Sequence, residues 1–172
     1  LNVSADAIYT RYRTLLKRFE RSRRLPGDED IPLDGAEVMV FGLGRVGRSA
    51  YDELRDQLGD VIIGVDQDET KILKYTSEGR RAVIGDAINP EFWSRFEQGP
   101  QKLRLILLAM PNHPANLRAA KQLSTRGYTG PIVATAKFED EVEPLMQNGV
   151  NQVFNIYAEA GSAAAHHMKP FI

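Results

Sequence analysis

The chain has 172 residues, a formal net charge of −1 and no cysteine, enough length for one full core plus an appendage. The missing cysteines exclude disulfides, a thiol nucleophile and any Cys-ligated zinc or iron–sulfur centre, and the balanced charge gives no global bias toward nucleic acid. No stretch approaches the roughly twenty apolar residues that span a bilayer and no signal-peptide pattern appears, so the segment reads as soluble and cytosolic, a piece of a longer protein since it starts at Leu1.

Residues 1–35 form the first unit. Seven basic residues (Arg11, Arg13, Lys17, Arg18, Arg21, Arg23, Arg24) stand against Asp6 and Glu20, while Ile8, Tyr12, Leu15, Leu16 and Phe19 recur at three- and four-residue spacing. This predicts a basic amphipathic helix. Pro26 and Pro32 frame a polar stretch that cannot continue it, which is expected to be a linker.

Residues 36–172 form the second unit. Apolar, strand-like runs at Val38–Phe41, Val61–Val65, Ala82–Ile84, Leu103–Ala109, Ile132–Ala136 and Gln152–Phe154 alternate with helical patterns near 45–58, 68–78, 90–97, 114–126, 140–148 and 158–168. Strands that are apolar throughout bury both faces, which predicts a helix-covered parallel sheet with right-handed crossovers. The expected fold is α/β, a Rossmann-like doubly wound six-stranded sheet in the order 3-2-1-4-5-6, with ligands bound beyond the strand ends at the switch point.

Strand one runs directly into Gly42-Leu43-Gly44-Arg45-Val46-Gly47, a G-x-G-x-x-G loop, and Asp66 follows nineteen residues after Gly47 at the end of strand two. Each glycine answers a separate demand: Gly42 a sharp turn, Gly44 backbone approach to a phosphate, Gly47 close packing of helix on strand. A phosphate there would rest on a helix N-terminus. Arg45 either adds a charge-assisted bond to it or is a solvated loop arginine. Asp66, with Gln67 beside it, can accept both ribose hydroxyls and would repel a 2′-phosphate, favouring NAD-type or adenosine ligands over NADP; alternatively it starts a turn or caps the helix holding Asp68 and Glu69. Gly85, Asp86 and Ala87 end strand three, where Asp86 can accept the adenine amino group or the segment is a plain turn. Strand four ends in a Pro-framed loop in which Met110 lies near the phosphates and Asn112 and Asn116 either bind ribose or phosphate or shape a turn. His113 is expected to face solvent. His166 and His167 are adjacent on a helix and so do not form a metal pair; no metal site is expected.

A dehydrogenase needs a second region that supplies an acid or base, and the sheet consumes the chain from residue 37 to 155. Short-chain reductases instead use a Tyr with Lys four residues on; Tyr9, Tyr12, Tyr51, Tyr75, Tyr128 and Tyr157 are followed there by Arg13, Leu16, Arg55, Gly79, Ile132 and Gly161. A nucleotide sensor fits better than an enzyme, with the cofactor domain of a larger NAD-dependent dehydrogenase as the alternative.

The segments Val-Met-Val-Phe-Gly-Leu-Gly-Arg-Val-Gly, Gly-Val-Asp, Gly-Asp-Ala, Leu-Leu-Ala-Met-Pro-Asn-His, Ile-Val-Ala-Thr-Ala and Phe-Asn-Ile-Tyr-Ala-Glu-Ala-Gly together resemble the TrkA-N, or RCK N-terminal, domains that regulate potassium conductance, in particular those of Kef-type monovalent cation:proton antiporters. The resemblance covers about residues 36–168. It implies binding of AMP or NAD(H), pairing as a homodimer, and control of a transmembrane antiporter domain from the cytoplasmic face of the inner membrane. It also maps the phosphate loop onto Gly42 through Gly47, the ribose acid onto Asp66 and the adenine contacts onto Asp86 and Ala87. Glutathione-gated relatives carry arginines on strand five and just beyond, where this chain has Thr135 and Lys137, so the resemblance does not carry glutathione control over; the C-terminal subdomain common in the family has no counterpart here. Within this frame the basic helix is either a juxtamembrane connector with residues 11–24 toward anionic lipid or an ordinary solvated helix packing one apolar stripe, nucleic-acid binding is not expected, and the small-residue helix at 158–168 is either a crossover helix at a dimer interface or a helix packed on its own sheet.

Overall fold

The computed structural model describes residues 33, 35–95 and 102–171. The basic helix and nearly all of the linker predicted for residues 1–35 lie outside the described residues. Six strands, β1 (Val38–Phe41), β2 (Ile62–Asp66), β3 (Ala82–Ile84), β4 (Leu105–Leu108), β5 (Ile132–Ala136) and β6 (Gln152–Asn155), form one sheet in the order β3-β2-β1-β4-β5-β6, every neighbouring pair parallel. This is the predicted topology.

Helices α1 (Arg45–Leu58), α2 (Glu69–Ser77), α3 (Pro90–Ser94), α4 (His113–Thr125), α5 (Val142–Gln147) and α6 (Ile156–Met168) follow the strands in turn. Departures from the expected bounds have local causes. Instead of one helix over 140–148, a 3-10 turn at Glu139–Glu141 precedes α5, because Pro144 has no N–H to continue an α-helical ladder from upstream. The last helix starts at Ile156 rather than 158, since the Asn155 side chain accepts the Ala158 N–H at 3.1 Å and so caps an earlier first turn. Helix α3 stops at Ser94, and the predicted continuation to 97 runs into residues outside those described.

Alternation along each strand sorts the core onto two faces. Met39, Phe41, Ile63, Val65, Ile106 and Leu108 point to the α3, α4 and α5 side and meet Phe92, Trp93, Leu123 and Leu145. Val38, Val40, Ile62 and Leu107 point the other way, under Tyr51 of α1 and Ile72 and Tyr75 of α2. Each fully buried large apolar side chain contributes about 1.5–3 kcal/mol, so two loaded faces explain why both need helical cover.

The register decides what stands at the crest. Phe41 is level with Val65 of β2 and Leu108 of β4, so the next residues, Gly42, Asp66 and Ala109, emerge together at the carboxyl edge. Pairing of Asp66 with Ile84 brings Gly85 to the same edge.

Candidate functional site

A cleft of about 800 Å³ opens over the ends of the central strands, a volume in the usual range for small-molecule sites. It straddles β1 and β4, the switch point at which the chain reverses its direction of winding.

The glycine loop forms one wall. Gly42 has φ +84°, and a Cβ there would come within 2.7 Å of the Ala109 carbonyl oxygen, so only glycine makes this turn. A Cβ on Gly47 would lie 1.9 Å from the Gly42 carbonyl oxygen; its absence lets α1 sit against the loop. A Cβ on Gly44, an exposed residue of the cleft lining, would meet nothing within 4 Å. Leu43 does not line the cleft. Its side chain is buried, its N–H donates to Asp66 Oδ2 at 2.8 Å, and its carbonyl accepts from the Tyr75 hydroxyl at 3.1 Å, so the loop is held from β2 and α2 before any ligand arrives.

Helix α1 differs from the other helices that directly follow a strand. Asp68, Asn89, Asn112 and Asn155 cap α2, α3, α4 and α6 with their side chains, whereas Gly44 occupies the cap position of α1 and has none to offer. The first-turn N–H groups of a 14-residue helix therefore open onto the cleft with the positive end of the dipole behind them. No acidic residue stands in that turn. Arg45 and Val46 line the cleft beside it, and among the described residues no carboxylate pairs with the Arg45 guanidinium.

Asp66 faces this helix terminus from the end of β2. Its carboxylate, only 11% exposed, accepts from Leu43 N–H and from Asp68 N–H (3.0 Å) and lies 3.4 Å from the Lys71 ammonium. Capping of α2 falls to Asp68, which takes the Lys71 N–H at 3.2 Å, and the lone pairs that the two backbone N–H groups leave on Asp66 meet the Lys71 ammonium at the cleft wall. Gln67 is exposed at the rim.

The other sequence candidates divide. Gly85 and Ala87 line the cleft, but Asp86 does not: its Oδ1 accepts the Ile88 N–H at 2.9 Å and shapes the turn into α3. Gly85 is required by packing, since a Cβ would fall 2.1 Å from the Phe92 ring. Met110, Asn112 and Asn116 all line the cleft. Asn112 caps α4 through Ala115 N–H at 2.9 Å. Asn116, 1% exposed, commits its amide to the backbone: Oδ1 accepts Met110 N–H at 3.1 Å, and Nδ2 donates to the carbonyls of Met110 (3.3 Å) and Thr135 (3.1 Å). It is a positioning residue that joins the ends of β4 and β5. His113 is half-buried on the cleft wall rather than fully solvated, and its Nδ1 has no hydrogen-bond partner.

Sequence reading missed Lys71, Lys137, Glu141 and Tyr157, all of which line the cleft. Glu141 accepts the Lys137 N–H at 2.7 Å, while among the described residues the Lys137 ammonium has no carboxylate partner. Lys71 was legible in principle, since a residue in the first turn of a helix that starts just after Asp66 stays beside it. The other three come from the β5–α5 and β6–α6 junctions, whose closeness to β1 depends on sheet order.

Residues 38–156 match the TrkA-N domain family. The Escherichia coli (strain K12) protein YbaL, named as a candidate cation/proton antiporter, is 26% identical over 131 residues, which cover 73% of this chain and 22% of that protein's length. Among solved structures, the NAD(P)-binding domain of an exopolyphosphatase-related protein from Archaeoglobus fulgidus superposes with a TM-score of 0.71 at 21% identity, covering 78% of this chain and 98% of that one. The Kef C-terminal domain of Shewanella denitrificans in its AMP-bound form gives 0.60 at 18% identity, covering 72% and 74%. At such identities the two structures attest the fold.

Proposed function

The chain belongs to the TrkA-N domain family, and from that premise we propose that it is the nucleotide-responsive regulatory domain of a membrane monovalent-cation transporter, taking AMP or NAD(H) into the crest cleft. The observation that carries this reading is the uncapped N-terminus of α1 opening onto the cleft opposite Asp66. An anionic phosphate would satisfy the free N–H groups, with Arg45 adding charge, while the adenosine ribose would reach Asp66. The antiporter name of YbaL, the AMP in the Kef domain and the NAD(P) description of the Archaeoglobus domain support the choice of ligand and of partner.

The domain acts on a transmembrane partner at the cytoplasmic face, and it works as a homodimer rather than as a catalyst. Support for pairing comes from α6: none of its thirteen residues is buried, and Tyr157 and Met168 are 59% and 64% exposed. Nucleotide control requires that the ligand bind two arrangements of the pair unequally. Mass spectrometry of small molecules released from denatured protein, followed by calorimetry with AMP, ADP, NAD+ and NADH, tests the site. Release of an adenine nucleotide and saturable binding are expected; no release and no binding at millimolar concentration would remove the reading.

A further inference from the structure

We propose that Lys71 sets the selectivity of the ribose subsite, so that the cleft admits adenosine ligands carrying a 2′-phosphate as well as those with a free 2′-hydroxyl. The inference rests on the nucleotide reading above, with Asp66 as the ribose-facing acid. On its own such an acid discriminates against a 2′-phosphate, because two anions would share one small volume away from bulk water. Here it is not on its own. The Lys71 ammonium stands 3.4 Å from Oδ1 and 3.4 Å from Oδ2, in the plane that bisects the carboxylate.

The other contacts fix where that ammonium acts. Leu43 N–H holds Oδ2 and Asp68 N–H holds Oδ1, so the carboxylate cannot swing away and Lys71 shares its remaining lone pairs with any incoming diol. An ammonium carries three donors and accepts nothing, so it can turn one toward a ligand oxygen while keeping Asp66. Its side chain is 41% exposed against 11% for Asp66, leaving it free to follow the ligand. Asp68, 3.8 Å from the same ammonium, is 46% exposed and therefore largely screened by water.

The dipole of α2 does not account for this lysine. A cation in the first turn of α2 opposes the positive end of the dipole, and the favourable partner at that end is an anion. What the position provides is a partly exposed positive charge on the cleft wall, beside the most buried of the acids that line it there.

Calorimetry on the whole 172-residue chain with AMP and with adenosine 2′,5′-bisphosphate, which differ only at the 2′ position, isolates the effect. In the wild type the two affinities should lie within about tenfold, and Lys71→Met should widen the ratio by about tenfold or more through loss of bisphosphate binding, with AMP held or improved. Lys71→Arg should restore the wild-type ratio, because a guanidinium keeps the charge and donors. A ratio unmoved by Lys71→Met, or both ligands weakened equally, overturns the proposal while leaving nucleotide binding standing. A wild type that binds neither ligand overturns the nucleotide reading and this inference with it.

Discussion

Gly44 and Gly47 lie three residues apart in one loop, yet their substitutions should fail in different ways. A methyl on Gly47 gains helix propensity of about 1 kcal/mol, but it would sit 1.9 Å from the Gly42 carbonyl oxygen, and overpacking of that kind costs about 1–3 kcal/mol or more. The clash wins, so Gly47→Ala should lower the urea midpoint. A methyl on Gly44 meets nothing within 4 Å beyond its chain neighbours, so Gly44→Ala should cost no more than the loss of a favourable N-cap residue, about 1 kcal/mol, and should chiefly weaken AMP binding. Urea unfolding beside calorimetry separates the two; a Gly44→Ala protein with full AMP affinity would place the phosphate elsewhere. Asp66→Ala should cost about 1.5–3 kcal/mol of AMP affinity, the scale for hydrogen bonds to a charged group. It should also cost some stability, because Leu43 N–H loses its acceptor and the loop loses one of its two anchors. Unchanged AMP affinity in a folded variant would remove Asp66 from the site.

At the scale of elements, helices α1 and α2 are tied to the sheet by polar contacts near the amino ends of the strands, far from the cleft. The Arg80 guanidinium makes bonds of 2.7 and 3.0 Å to Asp52 of α1 and stacks 5.3 Å from the Tyr75 ring of α2; the pairing holds the Asp52 carboxyl below the usual carboxylate range. Tyr51 of α1 accepts the Arg81 N–H at 2.8 Å, and burial pushes its hydroxyl up. On the opposite side, burial pushes the Tyr128 hydroxyl, at the turn between α4 and β5, up to about 12. Its unfolded value is near 10, so between about pH 10 and 12 the unfolded chain releases the proton first, and stability falls as pH rises through that window. Tyr128→Phe should therefore reduce the slope of stability against pH above 10, while losing about 1 kcal/mol at neutral pH with the bond to the Pro131 carbonyl. Alkaline unfolding curves for both proteins check this; parallel curves would rule it out.

For the whole molecule, the proposed regulation requires that a ligand at the crest be felt by a second copy. Helix α6 follows directly from β6, the edge strand beside β5, and its junction brings Ile156 and Tyr157 to the cleft wall while the rest of the helix leaves the sheet. Replacing Gly161, where a Cβ would meet nothing within 4 Å outside its own helix turn, or Ala164 with Trp should leave the monomer folded and nucleotide affinity within about twofold, yet break the proposed pair. Sedimentation with each nucleotide decides it: a wild type that stays monomeric at high concentration would defeat the dimer. The sensor reading carries its own check, since measurable turnover of NAD with alcohols or hydroxy acids would return the chain to the dehydrogenases.

Much of this molecule was legible in the sequence because its signals are local. Apolar runs bounded by turns located all six strands, and burial of both faces required a parallel, doubly covered sheet; the glycine loop and Asp66 announced themselves by spacing from β1. What each candidate side chain does was decided only by the tertiary structure. Asn112, Asn116 and Asp86 all read as turn residues in a sequence, but one caps a helix, one staples two strand ends and one holds a turn, according to which backbone groups the fold leaves unpaired near each. Lys137, Glu141 and Tyr157 reach the cleft because β5 and β6 lie beyond β4 on the far side of the switch point, and that neighbourhood comes from long-range pairing, to which no window of sequence has access.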